Sequence, residues 1–176
     1  MENDLNIPTP YSYWVLPGSF LAGAYPGGHD QIQTRLNMTA FLMAGFDTFF
    51  DLTTGHELPS YQPILLEEAS LIGRQVTHHR FSISDFGIPT HENMLGILDS
   101  IDQILAEGHR LYLHCWGGIG RTGTTVGCYF VRHGLTGKEA LEKLARLYET
   151  SLQSRYHPHS PESSAQVDFI LNWHET

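Results

Sequence analysis

An apolar segment that runs into a glycine-rich turn and then into a helix constrains this chain most. From residue 111 to residue 123 the sequence is Leu-Tyr-Leu-His-Cys-Trp-Gly-Gly-Ile-Gly-Arg-Thr-Gly. Glycines let the main chain bend sharply and approach a ligand closely. In a strand–loop–helix turn, successive N–H groups converge on one point, and the helix dipole adds positive potential there. The segment therefore predicts a binding site for a tetrahedral oxyanion.

Two side chains of this segment fit chemistry on a bound oxyanion. Cys115 lies at the base of the predicted pocket, where positive potential favours the nucleophilic thiolate. Arg121 can fold its planar guanidinium over the same point and bind two phosphate oxygens. The intervening backbone N–H groups would complete the oxyanion cradle, and they belong to Trp116, Gly117, Gly118, Ile119 and Gly120.

The pattern His-Cys-x5-Arg-Thr resembles the signature of the cysteine-dependent protein phosphatases. It is most similar to the small dual-specificity and atypical protein-tyrosine phosphatases. The resemblance is carried by residues 111–123 and extends over 75–134. It implies hydrolysis of a phosphomonoester through a cysteinyl-phosphate intermediate, with no cofactor.

The resemblance also implies a general acid on a mobile loop upstream, because an alkoxide or phenolate leaves poorly without a proton. Asp85, in the loop-like sequence Ser-Asp-Phe-Gly-Ile-Pro, is our candidate. The competing Asp51 also follows a strand and is predicted to cap the next turn instead.

Thr122 occupies the position at which members of the family carry a hydroxyl group that donates a hydrogen bond to the cysteine sulfur. Its other interpretation is a residue at the helix start whose side chain binds the backbone. His114 has a supporting role in ordering the loop.

Three further residues have less certain roles. Cys128 is predicted to be a small hydrophobic core residue. Larger tyrosine-specific phosphatases carry two glutamines near the carboxyl terminus, the first of which positions the hydrolytic water. Gln166 matches the second glutamine, but Glu162 stands in place of the first. The alternative is an ordinary helix start with surface residues.

Strand-like and helix-like segments alternate along the chain. We expect helices over Asp30–Ala44, Ile64–Ile72, a segment after Thr90 that ends at Gly108, Thr122–His133, a segment capped by Thr136 and Glu139, and Glu162–Trp173. Strands are predicted at Tyr13–Leu16, Phe20–Ala22, Phe46–Leu52, Gln75–Ile83 and Arg110–His114. This alternation predicts an α/β fold with a mixed, centrally parallel sheet flanked by helices. We expect one domain over 1–176, with 1–10 irregular.

Composition restricts the partners of such a site. The chain of 176 residues has a net charge of −9, which argues against nucleic-acid and anionic-membrane binding. No secretory signal or apolar run long enough to span a membrane is visible, and two cysteines are too few for a disulfide framework, so we expect a cytoplasmic protein. The eleven histidines form no recognisable metal-binding motif, and no metal is expected. The oligomeric state is not predicted.

Substrate class is the least constrained property. No lysine lies between Cys115 and Arg121, whereas phosphoinositide-directed relatives usually place lysines there, so we expect a phosphorylated protein or peptide. Phe86 and Trp116 favour phosphotyrosine over phosphoserine or phosphothreonine, although pocket depth decides this preference.

Other functions remain open. The chain could be a catalytically idle phosphoprotein-binding module, a sulfurtransferase or an arsenate reductase. It could also be a phosphatase of a small phosphorylated metabolite or of a phosphoinositide. The intact Cys115, Arg121 and Asp85 and the Arg-Thr-Gly ending of the motif favour the protein phosphatase.

Overall fold

A five-stranded sheet forms the centre of the computed structural model, which describes residues 7–175. The strands are β1 (Ser12–Leu16), β2 (Phe20–Gly23), β3 (Thr48–Asp51), β4 (Thr77–Arg80) and β5 (Leu111–His114). They lie in the order β1-β2-β5-β3-β4. Strands β2, β5, β3 and β4 pair in parallel, whereas β1 is antiparallel to β2 at the edge. The predicted mixed, centrally parallel sheet is confirmed.

Helices cover both faces of this sheet. They are α1 (Gln31–Met43), α2 (Gln62–Leu71), α3 (His91–Ala106), α4 (Gly120–Arg132), α5 (Gly137–Tyr148) and α6 (Ser164–Leu171), with a short 3₁₀ helix at Leu152–Arg155. One hydrophobic core packs α3, α4, α5 and α6 on one face, and a second packs α1 and α2 on the other. No helix in the described range is long and apolar enough to cross a membrane.

The side chains of β5 alternate between the two hydrophobic cores, and this alternation sets the positions of His114 and Cys115. Leu111 and Leu113 point into the core of α3–α6, and Tyr112 points into the core of α1 and α2. Successive side chains of a strand face opposite sides of the sheet, and this alternation continues past the strand end. Cys115 therefore belongs to the first core, while His114 lies on the opposite side, against Tyr61. The central parallel strands all end at this edge of the sheet.

Most predicted elements are present, with shifted ends. The strand predicted over Gln75–Ile83 is only β4, because it is an edge strand that pairs along four residues of β3. The helix predicted over Thr122–His133 begins two residues earlier, at Gly120, and so takes Arg121 into its first turn. The helix predicted over Glu162–Trp173 is shorter, because Ser163 caps α6 and leaves Glu162 outside it. The 3₁₀ helix was not predicted, and residues 1–6 of the expected irregular segment lie outside the described residues.

Helix α1 turns a different face to the sheet from the one that its predicted apolar spacing indicated. The helical spacing of the apolar residues Ile32, Leu36, Ala40, Met43 and Ala44 predicts this helix. Of these, Ile32, Leu36 and Met43 are exposed to solvent. The side chains of α1 that are buried are Thr34, Met38, Phe41 and Leu42. The helix itself is confirmed, with Asp30 accepting hydrogen bonds from its first N–H groups and Gly45 following its end at a positive φ.

Close packing of α4 against α6 generates a stability prediction. A Cβ added at Gly127 would overlap the side chain of Ile170, whereas one added at Gly96 in α3 would meet open space. Gly127→Ala should lower the free energy of unfolding by about 1–3 kcal/mol through overpacking. Gly96→Ala, the matched control, should raise it by about 0.5–1 kcal/mol because alanine restricts the unfolded chain and favours the helix. Urea unfolding monitored by circular dichroism measures both, and equal effects at the two sites would contradict the packing argument.

Candidate active site

The loop between β5 and α4 forms an open cradle at the carboxyl end of the sheet. Gly118 adopts φ 71°, and a Cβ there would overlap the backbone of Gly23 at the end of β2. Only glycine fits this approach. Tyr25 N donates to Trp116 O at 2.8 Å and fixes the loop from the same side. Helix α4 begins with no side-chain cap, so its first N–H groups remain free to bind an anion.

Cys115 lies at the base of this cradle, and Cys128 does not. The Cys115 side chain lines the cavity and is nearly buried. Cys128 is fully buried on α4, and burial raises the pKa of its thiol. Both cysteines are free thiols. Cys128 is thus an inert core residue, as predicted.

The Arg121 guanidinium is held by protein groups on two sides. Its Nη1 and Nη2 donate to Glu57 Oε1 and Oε2 at 2.8 and 2.9 Å. Nη1 also donates to Ile83 O, and Nη2 to Asp85 Oδ1, each at 2.9 Å. These four bonds use all four Nη hydrogens, so in the described chain only the Nε–H of this fork lacks a protein acceptor. In the unliganded site the Nη groups that we expect to bind phosphate therefore bond to protein acceptors.

Glu57 is a site residue that sequence reasoning missed. Burial opposes its ionisation, but the hydrogen bonds from Arg121 and Thr54 outweigh burial and lower the pKa of this carboxyl. A bidentate carboxylate–guanidinium pair fixes both the position and the orientation of the arginine. The only sequence signal was an acidic residue in the loop after β3, which is not a distinctive pattern.

Asp85 reaches the same cavity from the loop between β4 and α3. Its Oδ1 accepts from Arg121 and from the backbone N of Phe86, at 2.9 and 3.1 Å. Phe86 has φ 56°, a left-handed conformation unusual for a residue with a Cβ. Gln166 steadies the loop by donating from Nε2 to Gly87 O at 3.2 Å. By contrast, Asp51 lies beneath the loop and accepts from Thr53 N at 2.9 Å, which matches its predicted turn-capping role.

His114 lies behind the cradle, with both ring nitrogens in contact with neighbours. Burial, opposed by the attraction of Asp51, lowers the pKa of His114 to about 4, so the ring is neutral near pH 7. Nδ1 lies 3.2 Å from Cys115 O, and Nε2 lies 2.7 Å from the Tyr61 hydroxyl. A carbonyl oxygen only accepts, so Nδ1 carries the proton and Nε2 accepts from Tyr61. Tyr61, which sequence reasoning also missed, thereby fixes the tautomer that holds the Cys115 carbonyl.

Thr122 occupies the first turn of α4, where its hydroxyl has no hydrogen-bond partner within the described structure, although it is fully buried. A buried hydroxyl without a partner costs about 1–3 kcal/mol, so its persistence in the cradle needs an explanation.

A cavity of about 610 Å³ brings most of the predicted residues together, but Gly118 and Thr122 are not among its lining residues. Its base and walls are formed by the cradle, by Asp85 and Phe86, and by residues that follow α5. Those named in the sequence prediction that line it are Cys115, Trp116, Gly117, Ile119, Gly120, Arg121, Asp85, Phe86 and Glu162. The other lining residues are Tyr11, Ala24, Tyr25, Gly27, Leu58, Gln153 and His157.

Glu162 lies at this cavity and Gln166 lies behind it. Glu162 faces it directly, and burial together with the nearby Asp85 raises the pKa of its carboxyl. Gln166 is fully buried behind it, where its Oε1 completes the cap of α6. In the part of the chain that the structure describes, no group of three or more His, Cys, Asp or Glu side chains is arranged to hold a metal ion.

The chain is similar in sequence to known phosphatase domains. A family model described as "PTP-SAK: Swiss Army Knife protein, DSP-PTPase phosphatase domain" matches residues 9–170. Protein tyrosine phosphatase domain-containing protein 1 of Mus musculus is 26% identical over 162 residues, which cover 88% of this chain and 21% of that protein. The chain spans about a quarter of the length of the curated relatives it matches.

Solved structures share the fold. The crystal structure of Tk-PTP in the active form superposes with a TM-score of 0.69 and 25% identity, over 92% of this chain and 94% of that one. PTPMT1 in complex with PI(5)P superposes with a TM-score of 0.66 and 18% identity, over 92% of each chain. At 18% identity, the likeness to PTPMT1 concerns the fold alone.

The cradle between β5 and α4, the matched family model and the shared fold agree with the resemblance of the motif. The chain belongs to the PTP-SAK family of DSP-PTPase phosphatase domains, within the cysteine-dependent phosphatases.

Proposed function

We propose that this chain hydrolyses phosphomonoesters of proteins or peptides, with phosphotyrosine as the preferred residue. The observation that carries the proposal is the convergence of Cys115, Asp85 and the Arg121 guanidinium on one cavity. A nucleophile, a proton donor and a fixed cation around an oxyanion cradle are the groups that phosphoryl transfer requires. The free thiols support a reducing compartment, and we place the protein in the cytoplasm.

The first step forms a bond between the Cys115 sulfur and phosphorus. The bond from phosphorus to the ester oxygen breaks, and that oxygen takes a proton from Asp85. The N–H groups of the cradle and Arg121 hold the three equatorial oxygens, so that charge in the transition state meets dipoles that are already oriented.

Phosphate binding requires a change of partner at Arg121. Glu57 keeps the two Nη groups in place from one side, so the phosphate must bind through Nε–H and through the Nη2–H that now contacts Asp85. The phosphate oxygen displaces the Asp85 carboxylate from the guanidinium. Asp85 is then free to take up a proton and to approach the ester oxygen.

The second step regenerates the thiolate. Water attacks phosphorus, Asp85 accepts a proton from that water, and the bond from sulfur to phosphorus breaks. The buried Thr122 hydroxyl, which has no other partner, donates a hydrogen bond to the departing sulfur. Inorganic phosphate leaves the cavity.

Aromatic side chains at the cavity mouth support an aryl phosphate as substrate. Phe86 is 65% exposed and Trp116 is 53% exposed, and Tyr11 and Tyr25 also line the cavity. Exposed aromatic residues around a concave site can pack against a phenyl ring at little cost in side-chain entropy.

Substitution of the proposed catalytic residues tests the mechanism. Cys115→Ser should lower kcat for phosphotyrosine peptide and p-nitrophenyl phosphate by more than about 10³-fold, because it removes the nucleophile. Asp85→Asn should lower kcat by about 10²–10⁴-fold for the peptide. The loss should be smaller for p-nitrophenyl phosphate, because nitrophenolate leaves without a proton more easily than the tyrosine phenolate does.

Asp168→Asn, which removes an exposed carboxylate from α6, is the matched control and should keep kcat within about twofold. If wild type and Cys115→Ser hydrolyse both substrates equally, the proposed mechanism is wrong. An inactive wild type that still binds phosphopeptide would identify an idle binding module. A phosphoinositide and metabolite panel, assayed alongside, decides the substrate class.

The pH dependence of kcat/KM should be bell-shaped, with its maximum on the acid side of neutrality. The thiolate of Cys115 and the protonated carboxyl of Asp85 must exist together, so activity falls when the thiol is protonated and when the acid is ionised. Initial rates with p-nitrophenyl phosphate between pH 4 and pH 9 measure the profile. A rate that rises steadily to pH 9 contradicts the assignment of a general acid.

Removal of the Tyr61 hydroxyl should disturb the cradle through His114. Tyr61→Phe leaves His114 Nε2 buried without a donor, which costs about 1–3 kcal/mol of stability, and frees the ring to adopt the other tautomer. We expect kcat to fall about tenfold with a smaller change in KM, and alkylation of Cys115 by iodoacetate to need higher pH.

Tyr112→Phe is the control for this prediction. Its hydroxyl is bonded to Ala24 O rather than to His114, so it should lose stability without shifting the alkylation profile. If both variants shift the profile equally, Tyr61 has no specific positioning role.

A further inference from the structure

Three carboxyl groups lie in or beside a cavity that is lined by a single guanidinium. Arg121 is the only Arg or Lys among the described lining residues, and Glu57 and Asp85 already pair with it. Glu162 is a third carboxyl group, and it accepts no hydrogen bond or ion pair in the described structure. A bound phosphate therefore shares Arg121, the fixed cation of the cavity, with carboxylate groups of the protein.

The carboxyl group of Glu162 lies beside the phosphate cradle, although the residue as a whole is exposed. A Cβ added at Gly120 would overlap Glu162 Oε1, so this carboxyl group rests against the first residue of α4 within the cradle. The backbone N of Glu162 donates to Gln166 Oε1 at 3.2 Å, which ties the residue to the cap of α6. The fold thus fixes the backbone of Glu162 at the edge of the cavity.

Charged groups surround Glu162 from three segments. Asp85 faces it from the loop before α3, Arg121 from α4, and His157 from the loop after the 3₁₀ helix. Asp85 repels a charge on Glu162, while Arg121 and His157 attract it. The two Nη groups of the guanidinium already bond to Glu57, so the Glu162 carboxyl group faces the cavity without a bond to Arg121.

We propose that Glu162 is a specificity-determining residue that selects monophosphate esters and disfavours ligands that carry a second phosphate group beside the one in the cradle. This inference rests on the proposed function, because it takes the cradle to be the phosphate site. The first phosphate is compensated by the cradle N–H groups and Arg121. A second phosphate at the position of Glu162 meets a carboxylate and no lysine.

Electrostatic repulsion sets the size of the effect. Two like charges about 6 Å apart in a partly solvated cavity repel enough to change a binding constant by about tenfold. Salt weakens this repulsion, since the screening length is about 8 Å at physiological ionic strength. Glutamine has the same shape as glutamate without the charge, so Glu162→Gln isolates the electrostatic contribution.

Two non-hydrolysable inhibitors test the proposal at pH 7 and low salt. Methylphosphonate carries one phosphonate group and methylenediphosphonate carries two, and competitive inhibition of p-nitrophenyl phosphate hydrolysis gives a Ki for each. The wild type should bind methylphosphonate more tightly. Glu162→Gln should lower the Ki of the diphosphonate about tenfold and that of methylphosphonate less than threefold, and added salt should reduce the wild-type preference.

Glu142→Gln removes the same charge from the exposed surface of α5 and should change neither Ki by more than about twofold. A ratio of the two Ki values that is equal in wild type and Glu162→Gln overturns the proposal, and so does a wild type that prefers the diphosphonate. Glu162→Ala should behave like Glu162→Gln. A wild type that does not hydrolyse p-nitrophenyl phosphate overturns the proposed function instead, and calorimetric affinities for the same two inhibitors then decide the role of Glu162.

Discussion

The buried guanidinium of Arg121 is the interaction on which the site depends. A charged group that is almost wholly removed from water must be paired and hydrogen-bonded, or it would destabilise the fold by several kcal/mol. Glu57, Ile83 and Asp85 meet this requirement from two separate loops. The need to compensate one cation therefore draws the loop after β3 and the loop after β4 against the first turn of α4. The arrangement that satisfies the arginine also assembles the cavity.

The sequence specified the local part of this site well and the long-range part poorly. The segment 111–123 was predictable because strand, glycine turn and helix start are all encoded within its thirteen residues. Glu57 and Tyr61 were not, because their contacts depend on how the segment after β3 folds back across the carboxyl edge of the sheet. No local pattern distinguishes such residues from ordinary loop and helix-start residues.

Helix α1 illustrates the same limit for the fold. Its sequence carries two apolar stripes, one through Ile32 and Leu36 and the other through Met38 and Phe41. Either stripe predicts a helix, and the period of 3.6 residues is the same for both. The second stripe packs on the sheet because the aromatic rings of Phe46 and Tyr112 lie beside Phe41 there. The choice between faces is thus made by tertiary packing.

The left-handed backbone of Phe86 has a consequence for how often the loop holds Asp85 against Arg121. A residue with a Cβ is disfavoured in this conformation by about 1–2 kcal/mol, so residue 86 alone would favour a relaxed loop. The bonds from Arg121 to Asp85 and from Gln166 to Gly87 oppose that preference. We therefore expect an equilibrium between this loop conformation and a relaxed one. In the proposed mechanism phosphate takes the Arg121 bond from Asp85, which removes one of the two stabilising interactions. Substrate binding thus shifts the loop towards the relaxed conformation.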